Sequence, residues 1–138
     1  VMDAITVALR LGISYLWVDR YRINQDDPDE KHRLITNMDK IYAGAEVTII
    51  AAAGSDPHYG LPGVSSTFRS PNQYEVRIGS KNYMSLPPLS RVGPDSTRNL
   101  RWKRGWTYQE MLLSRRRLVF TPHQMYFQCV EGYDAEAV

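Results

Sequence analysis

Two short apolar runs separated by a long helical pattern constrain the fold most. The run 13–18 is rich in β-branched and aromatic residues and is apolar at nearly every position, which predicts a strand covered on both faces. The run 46–52 has the same character. Between them, residues 28–44 carry apolar side chains at helical spacing on one face. Strand, helix and strand in this order predict a βαβ unit, and therefore a parallel sheet in an α/β fold.

Local signals mark the ends of these elements. Gly12 follows an opening helical pattern over 4–11, as a C-terminal glycine that accepts positive φ does. Asp27 precedes Pro28, and Glu30 follows three residues later. This order predicts an N-cap, a first-turn proline and a capping-box carboxylate at the start of the crossover helix.

The length of 138 residues suits one domain, and we expect residues 1–138 to form a single partial domain in three parts. Its middle part holds 6 of the 8 prolines and 5 of the 9 glycines, which predicts an insertion made of loops. Within that part, residues 74–78 and 82–86 predict a β-hairpin. The three parts are 4–53 (the βαβ core), 54–100 (the insertion) and 101–129 (a helix followed by a second β-hairpin).

Composition excludes several classes of protein. The net charge of +2 is too small to argue for nucleic-acid binding. Cys129 is the single cysteine, so an internal disulfide and a cysteine-cluster zinc site are excluded, and none of the three histidines has a partner at ligand spacing. No apolar run reaches the roughly 18 residues of a membrane span, and the first residues do not resemble a signal peptide. We therefore expect a cytoplasmic protein that binds no metal, nucleic acid or membrane.

The densest charged cluster spans residues 101–117, with six cationic residues and one carboxylate, Glu110. On a helix, Trp106 and Glu110 are four residues apart and share a face. This carboxylate would stabilise a cationic transition state, and arginines of the cluster, Arg104 among them, would clamp phosphate oxygens. In the alternative interpretation, Glu110 caps the first turn of its own helix and the arginines are solvated.

Asp19 is a second candidate, because it follows the predicted strand 13–18. Open α/β sheets place ligand-binding groups at the carboxyl ends of their parallel strands. The alternative is a loop carboxylate that caps a nearby backbone N–H. The sequence leaves both interpretations open.

Three sequence blocks occur together and in a specific order. They read YLWVD with INQ (15–19 and 23–25), MDKIYAGA (38–45), and RGWTYQE with LSRR (104–110 and 113–116). Together they resemble the fungal heterokaryon incompatibility (HET) domain over most of residues 4–129. The resemblance implies a role in programmed cell death when genetically different hyphae fuse.

HET domains are thought to be distant relatives of TIR domains, so the resemblance also implies a flavodoxin/TIR-like parallel sheet with a β-hairpin insertion. The spacing of Trp106 and Glu110 resembles the tryptophan and catalytic glutamate of TIR-type NAD⁺ hydrolases. It implies Glu110 as the catalytic residue, stabilising an oxocarbenium-like ribosyl centre as nicotinamide leaves. Asp19, Arg104 and Trp106 would then bind NAD⁺ as the substrate, with no separate cofactor.

Two features depart from the family pattern. Arg22 stands where the family usually has a cysteine, and the family's opening strand is absent upstream of Val1. That strand is central in a flavodoxin-like order, so we expect an empty slot between 13–18 and 46–52. Unpaired backbone groups there would leave the chain marginally stable or inactive unless another segment or chain fills the slot.

Three functional hypotheses follow from these patterns. The first is a HET protein that acts in non-self recognition and cell death through NAD⁺ cleavage or TIR-like self-association. The second is a non-enzymatic death-signalling adaptor that self-associates or binds other incompatibility proteins through Trp106 and the neighbouring arginines. The third is an inactive fragment. Whether the chain is an enzyme stays open at this point.

Overall fold

A computed structural model describes residues 1–24, 26–54, 56, 58–69, 74–85 and 110–135. Within these ranges the helices are α1 (Met2–Arg10), α2 (Asp19–Arg22), α3 (Pro28–Thr36) and α4 (Met38–Gly44). The strands are β1 (Thr48–Ala51), β2 (Glu75–Ile78), β3 (Lys81–Met84), β4 (Arg116–Phe120), β5 (Met125–Cys129) and β6 (Gly132–Ala135). Residues 110–113 are also helical.

Four of these strands form one mixed sheet in the order β1-β4-β5-β6. β1 and β4 run parallel, with Thr48 opposite Arg117 and Ala51 opposite Phe120, whereas β4–β5 and β5–β6 are antiparallel pairs. The hairpin of β2 and β3 forms a separate two-stranded sheet. The predicted α/β class is therefore confirmed, and the parallel pairing is confined to β1 and β4 among the described strands.

The prediction of a strand over 13–18 is wrong, so residues 4–53 do not form the expected βαβ unit. Residues 13–18 form neither helix nor strand, although the backbone of Val18 is extended, with φ −135 and ψ 111. Tyr15 is 91% exposed instead of covered. The physical reason is that a strand needs a neighbouring edge for its backbone hydrogen bonds, and no described strand pairs with this segment.

The single helix predicted over 28–44 is two helices joined at Asn37, whose φ of −103 and ψ of 11 depart from helical values. The Asn37 amide nitrogen donates to the carbonyl oxygen of Arg33 at 2.7 Å, and its amide oxygen accepts from Lys40 Nζ at 2.8 Å. Asparagine side chains compete in this way with helical backbone hydrogen bonds. The interruption makes α4 a short, separate helix.

Several local predictions are confirmed. Asp27 Oδ1 accepts hydrogen bonds from the backbone N–H groups of Asp29 and Glu30, both at 3.0 Å, so Asp27 is the predicted N-cap. The predicted hairpin of the insertion is β2 and β3, which turn through Gly79 at φ +64. β4 and β5 match the second predicted hairpin, and the sequence reading missed β6.

The core lies on both faces of the β1–β4 pair. On one face Ile50, Val119 and Tyr126 form a buried cluster, and on the other face Phe120 packs with Val7 of α1 and with Leu61. Because β4 has a strand on each side, it is an interior strand of the sheet, as β5 is. Among the described strands β1 lies at one edge of this sheet, and the candidate site lies beside it.

Candidate functional site

A cavity of about 870 Å³ lies beside β1. Its walls come from β1, from α1, from α4 and from the segment 13–18, five of whose six residues line it. No residue of β4 contributes to these walls, so the cavity lies on the side of β1 that faces away from β4. The size suits a small-molecule site, since ligand pockets typically measure about 300–1,000 Å³.

Four side chains form a hydrogen-bonded network in the wall of this cavity. The hydroxyl oxygen of Tyr42 lies 3.3 Å from Glu110 Oε1 and 3.5 Å from Asp19 Oδ2. The indole Nε1–H of Trp17 donates to the other oxygen of Asp19 at 2.7 Å. All four residues line the cavity, so their polar atoms can meet a ligand. We call Trp17, Asp19, Tyr42 and Glu110 the acidic network.

Tyr42 determines the electrostatics of the acidic network. Burial raises the pKa of this tyrosine far above its ordinary value, and the nearby carboxylates of Glu110 and Asp19 raise it further. The hydroxyl therefore stays protonated, but its single hydrogen can be donated to only one carboxylate at a time. Two carboxylates that accept from the same neutral hydroxyl create a negative potential, which favours a cationic ligand or a cationic transition state.

Packing against the amino end of β1 holds Glu110 in place. The Ser114 side chain donates to the carbonyl oxygen of Glu110 and also hydrogen-bonds to Thr48 Oγ1 at 2.7 Å. Ser114 is itself buried. Glu110 is thus connected to the first residue of β1, whereas the sequence suggested a site at the carboxyl ends of parallel strands. Asp19 does not follow a strand at all, because it is the first residue of α2.

The chain matches a known protein family over most of its length. The model of the heterokaryon incompatibility protein (HET) family matches residues 1–110. This chain belongs to the HET family. Membership implies a role in heterokaryon incompatibility, and the resemblance seen in the three sequence blocks is confirmed. No curated protein and no solved structure matches the chain.

The HET match includes every residue of the acidic network, and its last residue is Glu110. Of the residues predicted to act at the site, the structure brings Asp19 and Glu110 together through Tyr42. Arg104 and Trp106, also predicted there, lie outside the described residues. Sequence reasoning placed Tyr42 on the apolar face of the predicted helix. A buried tyrosine hydroxyl needs a hydrogen-bond partner, and that requirement is the signal that could have identified it.

Cationic side chains of this HET domain lie beside the network. Arg20 and Lys40 line the same cavity. The guanidinium carbon of Arg22 lies 5.7 Å from the ring centroid of Trp17, within the range of a cation–π contact. Arg22 packs on the aromatic ring whose N–H donates to Asp19.

Two further classes of site can be examined in the part of the chain that the structure describes. There, no group of three or more His, Cys, Asp or Glu residues is arranged to hold a metal ion. The helices in the same part of the chain are all too short or too polar to cross a lipid bilayer.

Proposed function

We propose that this HET protein acts in non-self recognition and programmed cell death by hydrolysing NAD⁺. In this proposal it is a distant relative of TIR-type NAD⁺ hydrolases, and its sheet is of the flavodoxin/TIR-like kind. One observation carries the proposal. The Glu110 carboxylate, held by Tyr42, lines a cavity of about 870 Å³ instead of pointing into open solvent. A carboxylate in this position can stabilise a positive charge that develops on a bound sugar.

The proposed reaction breaks the bond between the ribose anomeric carbon and the nicotinamide nitrogen. The bonding electron pair leaves with nicotinamide, which becomes neutral, and the ribosyl centre becomes oxocarbenium-like. Glu110 stabilises this cation electrostatically, as carboxylates do in glycoside hydrolysis. Water then adds to the anomeric carbon and releases a proton, which gives ADP-ribose, nicotinamide and one proton.

The remaining wall residues take supporting roles in this proposal. Tyr42 keeps the carboxylates of Asp19 and Glu110 oriented, and Asp19 adds negative potential beside the cationic nicotinamide ring. Arg20 and Lys40 line the same cavity and would bind the pyrophosphate through charge-assisted hydrogen bonds. Arg104 and Trp106 keep the binding roles that the family resemblance implies.

The test is nicotinamide release from NAD⁺ by the purified chain, measured by chromatography, with Glu110→Gln as the decisive variant. Glutamine keeps the size of the side chain but not its charge, so we expect a loss of at least about 100-fold. Glu75→Gln is the matched control, because this exposed carboxylate lies in the separate β2–β3 hairpin. Unchanged release by Glu110→Gln, or no release by the unaltered chain, would contradict the proposal.

A second function is favoured by the exposed apolar side chains. Met2 and Leu9 of α1 are 74% and 71% exposed, and because they are seven residues apart they lie on the same face of this helix. Large exposed apolar side chains that are contiguous mark interaction surfaces. The alternative is therefore a non-enzymatic adaptor that self-associates or binds other incompatibility proteins. Cell killing that persists in Glu110→Gln would support the adaptor, whereas killing that disappears would support the enzyme.

A further inference from the structure

The helical turn that carries Glu110 is bonded by side chains at two successive backbone carbonyl groups. Residues 110–113 form this turn, and the Ser114 hydroxyl donates to the carbonyl oxygen of Glu110. The next carbonyl oxygen, that of Met111, accepts from Nη1 of Arg117, the second residue of β4. Both bonds hold the backbone directly beside the Glu110 side chain.

Both bonds also connect the turn to the parallel pair of β1 and β4. A carbonyl oxygen only accepts, so the Ser114 hydroxyl uses its single hydrogen there and accepts from the Thr48 hydroxyl at 2.7 Å. Thr48 begins β1 and lies opposite Arg117 in the register of the two strands. Met111 packs against the buried cluster on one face of this pair. The turn is therefore attached to the sheet by one apolar contact and two hydrogen bonds.

Arg117 is an unfavourable residue for stability alone. Its side chain is half-buried, and its Nε–H is buried with no hydrogen-bond acceptor among the described residues. A buried donor without an acceptor lowers the free energy of unfolding, and buried charged groups can often be replaced by apolar ones at no cost. An apolar side chain could cover the same sheet face without this penalty. Stability therefore does not account for an arginine at this position, whereas a role at the adjacent site does.

We propose that Arg117 is a positioning residue for Glu110 and acts together with Ser114. No residue of β4 lines the cavity, so Arg117 acts through the turn and not by contact with a ligand. Its guanidinium fixes the Met111 carbonyl from the sheet, while Tyr42 holds the Glu110 carboxylate from α4 at 3.3 Å. Backbone and carboxylate are thus fixed independently. Such positioning matters because a misplacement of about 1 Å at a reacting group can lower a rate about 100-fold.

This inference rests on the proposed function, because it assigns a role in NAD⁺ hydrolysis to a residue outside the cavity. Its geometric part is the claim that the Arg117 bond determines where the Glu110 carboxylate lies beside Tyr42, and that claim can be measured without activity. If the unaltered chain releases no nicotinamide, the proposed function fails, and the second measurement below still decides the geometric claim.

The first measurement is the steady-state rate of nicotinamide release by Arg117→Met in the full chain. Methionine keeps an unbranched apolar stem but cannot donate to Met111. We expect kcat to fall at least about tenfold and KM to change less than about twofold, because the turn moves while the binding residues remain. The matched control is Arg77→Met, on strand β2 of the separate hairpin, which should release nicotinamide at the unaltered rate.

The second measurement is the NMR chemical shift of the Tyr42 ring carbon that bears the hydroxyl, assigned with Tyr42→Phe. This resonance should move in Arg117→Met, because the contact between the Tyr42 hydroxyl and Glu110 Oε1 changes. It should stay in place in Arg77→Met. An arginine that only stabilises the sheet would leave the resonance unmoved in the folded protein.

Ser114→Ala tests the same attachment at its other bond and decides the question if Arg117→Met fails to fold. The same two effects are expected, a lower kcat at nearly constant KM and a moved Tyr42 resonance. Its matched control is Ser85→Ala, because the Ser85 hydroxyl oxygen accepts from the Tyr74 backbone N–H at 2.7 Å within the separate hairpin.

Two outcomes would overturn the proposal. The first is an active chain in which folded Arg117→Met keeps the unaltered kcat. The second is a Tyr42 resonance that stays in place in both Arg117→Met and Ser114→Ala.

Discussion

The apolar run Leu118–Phe120 of β4 and the apolar segment 13–18 have opposite environments. In β4, Val119 and Phe120 are 1% and 2% exposed, with strands on both sides and packed clusters on both faces. No strand of the described residues pairs with the segment 13–18, and Tyr15 is 91% exposed. The comparison shows that an apolar, β-branched sequence gives a segment the capacity to form a strand. A neighbouring edge is needed to realise that capacity.

The largest difference between the two regions should be the cost of removing a large side chain. We expect Phe120→Ala to lower the free energy of unfolding by about 3–5 kcal/mol, because it leaves a cavity against Val7 and Leu61. Tyr15→Ala should cost less than about 1 kcal/mol, because the Tyr15 side chain is 91% exposed to solvent. Urea denaturation measures both changes, and equal losses would show that the segment 13–18 is packed as tightly as β4.

The hydrogen bond between Ser114 and Thr48 should have an intermediate effect on stability. Ser114→Ala removes the buried hydroxyl that joins Thr48 of β1 to the helical turn of Glu110, at an expected cost of about 1–2 kcal/mol. Thr48→Val removes the other partner of the same hydrogen bond. A double-mutant cycle by urea denaturation measures the coupling of the pair. Strictly additive losses would show that this hydrogen bond does not connect Glu110 to β1.

Alkaline pH should lower the free energy of unfolding through the acidic network, because Tyr42 belongs to it. The folded-state pKa of Tyr42 is raised, so its stabilising contribution is complete below the unfolded pKa of about 10 and falls as pH rises above it. The loss should reach at most about 1.4 kcal/mol per pH unit. Tyr42→Phe should cost about 1 kcal/mol at neutral pH and should show a shallower alkaline loss. Chemical denaturation between pH 9 and 11 tests this, and identical slopes would contradict it.

The smallest effect is expected from Asp3, which also lines the cavity. Hydrogen bonds from the Ser65 hydroxyl at 2.6 Å and from the Leu61 backbone N–H at 2.7 Å lower the pKa of this carboxyl group. The resulting stability is present above the unfolded pKa and is lost as pH falls through the lower folded value. Asp3→Asn should cost up to about 1 kcal/mol at neutral pH and should flatten the acid-dependent loss. Denaturation between pH 2 and 6 measures it, with Asp29→Asn as the exposed-carboxylate control.

The sequence predicted best those features that depend on local interactions. The Asp27 cap, the turn at Gly79, and strands β4 and β5 were all readable, because each depends on residues close together in the chain. The break at Asn37 was missed, since the helical pattern of apolar residues continues through it. The same pattern assigned the segment 13–18 to a strand, because periodicity carries no information about whether a neighbouring edge is present.

The candidate site was predictable only in part, because sequence patterns report local interactions and not contacts between distant residues. Glu110 stood out as a carboxylate that shares a helix face with a tryptophan, and Asp19 as an acid that follows a predicted strand. The structure joins the two through Tyr42. Their separation along the chain hid the residue that connects them, because Tyr42 is 23 positions from Asp19 and 68 from Glu110. Only the folded structure shows that this tyrosine of the apolar face has its hydroxyl between two acids.

The Tyr42 hydroxyl also determines how the acidic network would respond to a cationic ligand. With one hydrogen and two acceptors, the hydroxyl can rotate toward either acid without any movement of the backbone. A cation bound to the Glu110 carboxylate would replace the hydrogen bond from Tyr42, and the hydroxyl would then donate to Asp19. Binding would thus require only the rotation of a single O–H bond. The reorganisation free energy for binding and release of the ligand would therefore be small.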